Sequence, residues 1–168
     1  MNPDLEKLDQ LLAELKPYNA TLVAVSKTKP SEAIDLVYRH GHRHFGENYV
    51  QELVGKHAVL PSDTLWHFIG HLQSNKVKLI APFVSLIHGV DSRQLAVEVS
   101  KQAVKFERNI DLLLQVHIAT EETKFGLSAD EALQLGEALI NNPLPGITVR
   151  GLMGMASFSD DEALIRLE

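Results

Sequence analysis

The 168-residue chain contains no cysteine, which excludes disulfide cross-links and thiolate metal sites and suits a reducing compartment. It also lacks long apolar runs: no segment sustains the roughly 20 apolar residues that a bilayer-crossing helix requires. Met1-Asn2-Pro3-Asp4 shows no basic region leading into an apolar stretch, so no secretory leader is expected and the expected location is the cytoplasm. Positive charge is scarce, with 16 Lys and Arg against 22 Asp and Glu, and no long basic run offers a footprint for nucleic acid. Gly-rich phosphate loops, Gly-x-Ser-x-Gly elbows and His-Glu-x-x-His motifs are absent, which leaves nucleotide-binding and hydrolase functions without a foothold. What is present is 45% hydrophobic residues in a single domain's length, enough for a soluble, globular core.

The apolar residues form short strands alternating with amphipathic helices, the pattern of parallel strands joined by helical crossovers. A first helix is expected from about Pro3 to Lys16, with Leu5, Leu8, Leu11, Leu12 and Leu15 on one stripe. Strands are expected over Thr21 to about Lys27, His44 to Gly46, Leu65 to Ile69, Val84 to His88, Asp111 to Ile118 and Thr148 to Met153. The intervening helices open at Ser31, Asn48, Ser74, Ser92 and Ser128, and a further one follows Ser159; Ser31 and Ser92 suit capping positions. Ser128 with Glu131, and Ser159 with Glu162, have capping-box spacing.

Six strand-helix units predict an α/β fold of the (β/α)8 TIM-barrel type, incomplete because eight units close such a barrel, in one domain spanning residues 1–168. A doubly wound sheet is the alternative, but its Gly-rich first turn is missing: that turn reads Ser26-Lys-Thr-Lys-Pro30. Polar groups collect instead after several strands, as on a barrel rim.

Lys27 is the focal residue. Alternation along the first strand puts Val23, Val25 and Lys27 on one face, so an amine leaves the sheet from an apolar row at the strand's C-terminal end. Desolvation favours the neutral amine, the form that condenses with an aldehyde. Lys29 could share the face, although Pro30 and the turn direct it outward. The histidines at 40, 42 and 44 tempt a zinc site, but Gly41 and Arg43 interrupt them and no carboxylate completes a set, so no metal is expected.

The blocks AVSKTKP (24–30), HFGENYVQE (44–52), WHFIGHLQSNK (66–76), IHGVDS (87–92), ETKFGL (122–127) and RGLMGM (150–155) follow one another as in the pyridoxal phosphate homeostasis proteins, whose relatives include the barrel domain of alanine racemase. The chain resembles that family from about Leu5 to its last residue. The resemblance implies a single-domain barrel holding pyridoxal 5'-phosphate as a Schiff base on Lys27, a role in cofactor homeostasis and no established turnover. Partners implied are the cofactor itself and apo-enzymes that depend on it, with a monomer for the complete form and self-association of a shortened one. The family continues with Ser-Met-Gly-Met-Ser and Arg-Ile-Gly-Thr segments as strands seven and eight, whose loops usually hold the phosphate, so the chain as given is expected to bind the cofactor weakly or not at all. His117 and Gly89 stand where the family commonly has asparagine and serine.

Around Lys27, Asn48 could bond the cofactor ring or cap a helix, and Glu47 reads as a solvated first-turn acid in preference to a partner for a neighbouring lysine. His71, Ser74, Asn75 and Lys76 lie at a helix start, where free amides and a positive dipole end attract an anion, and read as a rim contacting substrate or phosphate. Met153 and Met155 would lie beneath the ring, where soft apolar contact suits a flat aromatic. Lys124, in the family's Lys-x-Gly position, and Lys29 and His67 are secondary candidates, His67 reading first as a satisfied core histidine. The alternatives are a racemase or decarboxylase, which needs a second acid-base group that Tyr18, Tyr38 and Tyr49 do not offer from the rim, and a shortened barrel that has lost the cofactor.

Overall fold

The computed structural model describes residues 3–119 and 125–167. Strands β1 (Ala24–Val25), β2 (His44–Glu47), β3 (Leu65–Phe68), β4 (Leu86–Val90), β5 (Ile110–Val116) and β6 (Ile147–Gly154) form one sheet in the order β1-β2-β3-β4-β5-β6. Every neighbouring pair is parallel. An order that follows the chain, without reversal, is that of a barrel wall; a doubly wound sheet reverses at a switch point. The fold is therefore α/β of the (β/α) barrel type, with six strands of the wall among the described residues.

Helices α1 (Leu5–Leu15), α2 (Ser31–Arg39), α3 (Val50–His57), α4 (Val77–Ile80), α5 (Arg93–Lys105), α6 (Ala129–Asn141) and α7 (Glu162–Leu167) accompany the strands. The sheet has two unlike faces. Parallel partners share a face, so the rows Ala24, Phe45, Trp66 and Phe68, Ile87, Leu112 lie on one side. These residues join Ile34, Leu53, Val77, Ile80, Leu95 and Val99 of the helices in the hydrophobic core. Burying each large side chain contributes about 1.5–3 kcal/mol, so the helix-covered face dominates stability. The opposite, inner face carries the row Val25, Gly46, His67, Leu86, Asp111 and Thr148. Val25 is half-exposed there, so the first strand is an edge with an open inner face and not the buried strand its composition predicts.

Several element ends differ from the sequence pattern for local reasons. Pro30 occupies the N-cap of α2 and Ser31 is already helical, so the Ser31 side chain does not cap. Tyr49 precedes α3, and Asn48 makes no capping bond. Asp161 caps α7 through Ala163 N and Leu164 N, displacing the expected Ser159 box, because its carboxylate sits one residue before the helix. The Ser128–Glu131 box forms as its spacing predicts, and Ser92 accepts from Leu95 N at the start of α5.

Candidate functional site

The C-terminal end of β1 is shaped by the turn Ser26–Lys29. Ser26 N donates to Gly46 O (2.9 Å), extending the β1-β2 ladder by one residue, and Lys29 N donates back to Ser26 O (3.0 Å). Lys27 and Thr28 are the central residues of this turn, and Thr28 has φ 62°. A β-branched residue in the left-handed region is uncommon and is held there only by its surroundings. Here the holder is Glu52, whose Oε1 accepts from Thr28 N at 2.6 Å. Lys27 itself is exposed.

Beneath the turn lies a buried polar knot. Lys56 Nζ donates to Ser26 O (2.7 Å), Glu47 Oε1 (2.6 Å) and Glu52 Oε1 (2.5 Å). Ser26 Oγ donates to Glu47 Oε1 at 2.6 Å. The Lys56 and Glu47 side chains are 7% and 0% exposed. Glu47 is therefore no solvated acid; it is the buried partner of a lysine. Removing one member of such a pair leaves a charge uncompensated, at a cost of about 3–5 kcal/mol. Sequence reasoning misses Lys56, although it falls on the inward stripe of α3, at the third step of Val50, Leu53, Lys56.

Around the rim, neighbouring strand ends approach closely. A Cβ on Gly70 would meet Asn48 O at 2.5 Å, and one on Gly89 would meet Gly70 O and Gln115 Oε1 at 3.0 Å. Only glycine fits at Gly70 without moving backbone, and a side chain in place of Gly89 would crowd Gln115. Asn48, Gly70, Gly89 and Gln115 thus form a continuous arc, which Met153 extends because it pairs with Gln115. Asn48 Oδ1 is buried and has no hydrogen-bond partner among the described residues. An orphaned acceptor at a rim is the atom through which a bound donor would be recognised.

The remaining candidates scatter. His71 Nδ1 lies 3.3 Å from Asp91 Oδ2 and its ring stacks on Phe125 at 4.7 Å, tying the ends of β3 and β4 to the segment after β5. Ser74 lines a groove with Arg93, Gln94, Val97 and Glu98 of α5. Asn75 is exposed in the short 3-10 turn before α4, and Met155 follows β6, about half-exposed. Lys29 faces the groove between α1 and α2. Lys124 lies outside the described residues.

The inner face below the rim carries a chain of imidazoles. His44 Nδ1 lies 2.9 Å from His67 Nε2, and His67 Nδ1 lies 2.9 Å from His88 Nε2. Both ring nitrogens of His67 are therefore engaged, which identifies its partners as its two neighbours and leaves it none for a ligand. Burial, then His88 and His44, push the His67 pKa down to about 3, so the ring is neutral at pH 7. Burial also lowers His44 and His88. Among the described residues no cluster of three or more His, Cys, Asp or Glu side chains could hold a metal ion.

The family model described as the alanine racemase N-terminal domain matches residues 5–166. The chain is 40% identical over 153 residues to the pyridoxal phosphate homeostasis protein of Vibrio alginolyticus, covering 88% of this chain and 65% of that one. It is 38% identical over 169 residues to the Homo sapiens protein of the same name, covering 93% and 61%. The chain thus spans about three fifths of the length of these curated relatives. Among solved structures it resembles PipY of Synechococcus elongatus PCC7942 with PLP bound, at TM-score 0.80 and 36% identity over 94% of this chain and 73% of that one. An alanine racemase from Streptomyces lavendulae shares the fold at TM-score 0.73 and 16% identity, over 94% of this chain and 42% of that one.

Proposed function

Since the chain belongs to the family of the alanine racemase N-terminal domain, we propose that it binds pyridoxal 5'-phosphate as a Schiff base on Lys27 and serves homeostasis of that cofactor without turning over amino acids. The observation that carries this is the turn at the end of β1. An exposed primary amine is presented at the C-terminal end of a parallel strand, on a backbone held from beneath by buried charges. The bound cofactor supplies an aldehyde that condenses with an amine and releases water.

The residues in place fit such a group. Lys27 provides the amine, and the orphaned Asn48 Oδ1 provides an acceptor one strand away. Met153 lies further along the same arc and offers a soft apolar contact to a flat ring. His71, steadied by Asp91 and Phe125, stands where it can donate to an anionic group. What surrounds the amine supports the reading without turnover. Racemisation requires an acid-base group on the second face, and the tyrosines stand on or beside helical elements. Tyr38 donates to Asp63, Tyr18 ends the 3-10 turn after α1, and Tyr49 opens α3. The inner histidines are neutral and bonded to one another, so they are poorly suited to give up a proton. Recipients of the cofactor would be apo-enzymes that require it, in the cytoplasm.

Borohydride reduction in the presence of pyridoxal phosphate, followed by intact mass and peptide mapping, tests the proposal. One adduct on the peptide containing Lys27, absent from Lys27→Ala, is the expected result. An adduct persisting in Lys27→Ala overturns the site. A chain with no adduct at all overturns cofactor binding by this polypeptide. Robust conversion of free D- or L-amino acids overturns the carrier role.

A further inference from the structure

We infer that Lys56 and Glu52 of α3 are positioning residues for Lys27: they set the place of its amine by clamping the two peptide units on either side of it. This rests on the proposed role of Lys27, and it adds residues beyond those proposed to touch the cofactor. The geometry is specific. Lys27 sits between Ser26, whose carbonyl accepts from Lys56 Nζ at 2.7 Å, and Thr28, whose N–H donates to Glu52 Oε1 at 2.6 Å. Both clamps meet, because the same Glu52 oxygen accepts from Lys56 at 2.5 Å. Glu47, fully buried on β2, takes Lys56 and the Ser26 hydroxyl together at 2.6 Å each.

Such an arrangement exceeds what a β-turn needs. The turn already has its own closing bond from Lys29 N to Ser26 O. A buried lysine with a buried carboxylate is costly to desolvate and contributes little net stability over apolar packing. What the knot does secure is the left-handed Thr28, which a β-branched residue would otherwise leave. Without the clamp Thr28 relaxes, the peptide flips, and Lys27 samples directions away from the inner face. A reacting group misplaced by about 1 Å can lose on the order of 100-fold in reactivity, so fixing this turn is a functional device.

The test uses the 168-residue chain and three variants. Glu52→Ala removes the acceptor for Thr28 N; Glu52→Gln keeps an oxygen there and is the conservative rescue. Lys56→Met combined with Glu47→Leu removes the buried charges together, so that the variant folds without an orphaned ion. Two readouts are independent of bound cofactor: amide hydrogen exchange at Thr28 and the NMR resonance position of the Lys27 backbone amide. The third is the concentration of pyridoxal phosphate giving half-maximal imine absorbance.

Glu52→Ala and the double variant are expected to exchange Thr28 at least about 10-fold faster, to move the Lys27 amide resonance, and to raise the half-saturating concentration about 5- to 10-fold, with Glu52→Gln within about 2-fold of wild type. Folded Glu52→Ala and double variants with wild-type Thr28 exchange and an unmoved Lys27 amide resonance overturn the inference. Should the wild-type chain form no imine, cofactor binding by this polypeptide falls, and exchange and the amide resonance then decide the clamp alone.

Discussion

Lys56 Nζ and Glu47 Oε1 are 2.6 Å apart in the interior, between α3 and β2, directly beneath the peptide that precedes Lys27. The pair is all but sealed from water, so its two charges depend on each other. Lys56→Met is expected to destabilise the chain by about 3–5 kcal/mol, since the Glu47 carboxylate is left buried without its counter-ion. Adding Glu47→Leu should recover most of that loss. Urea unfolding of the single and double variants measures it, and strict additivity of two large losses would show that the pair is not coupled.

The imidazole chain makes stability depend on pH. Folding moves the His67 pKa down from 6.5 to about 3, chiefly by burial. The unfolded chain therefore takes up a proton near pH 6.5 that the folded chain refuses until pH 3. The stabilisation is whole above the unfolded pKa and is lost as pH falls through this window. Between pH 6.5 and 5 one such histidine lowers stability by about 2 kcal/mol, and the likewise depressed His44 and His88 steepen the slope. Urea unfolding at pH 7, 6 and 5 should show a steep decline in wild type and a flatter one in His67→Gln, by about one proton. Parallel slopes would remove His67 as a source.

How far these features were legible in the sequence depends on whether their cause is local. Ser128 and Glu131 lie within one turn, and the box they predict forms. Six apolar runs alternating with helices, a first turn without glycine and polar groups after several strands pointed to the barrel type, and strand order follows the chain. Alternation along the first strand stops short of Lys27, because β1 ends at Val25 and the lysine stands exposed in the turn that follows, so the desolvated amine expected from an apolar row is not what forms. The Glu47–Lys56 contact joins a strand to a helix, and a charged residue on an apolar stripe was its one trace. Nothing in the spacing of His44, His67 and His88 states that their strands are neighbours in a register that lets the rings touch. Ser31 failed as a cap because Pro30 had already taken the extended position before the helix.

Two glycines should respond in opposite directions to the same change. A methyl on Gly70 would lie 2.5 Å from the carbonyl oxygen of Asn48, which backbone cannot yield without moving the rim. Gly70→Ala is expected to cost about 1–3 kcal/mol and to weaken pyridoxal phosphate binding. Gly55 lies inside α3 with open space on its Cβ side, nothing standing within 4 Å of where a methyl would go, so Gly55→Ala should stabilise by about 0.5–1 kcal/mol. Thermal unfolding of both variants checks the pair, and shifts of the same sign would contradict the packing described for the rim.

Asn48 separates what serves the fold from what serves the ligand. Its buried Oδ1 meets no donor among the described residues, and its side chain does not cap α3. An acceptor taken from water without compensation costs about 1–3 kcal/mol. Asn48→Ala should therefore leave stability unchanged or raise it by up to that amount. If the oxygen instead awaits a donor on pyridoxal phosphate, the same variant should need about 5- to 10-fold more cofactor for half-saturation, one hydrogen bond's worth. A gain in stability with a loss in binding is the signature of an atom kept for a ligand. Lost stability with unchanged binding would assign Asn48 to the fold.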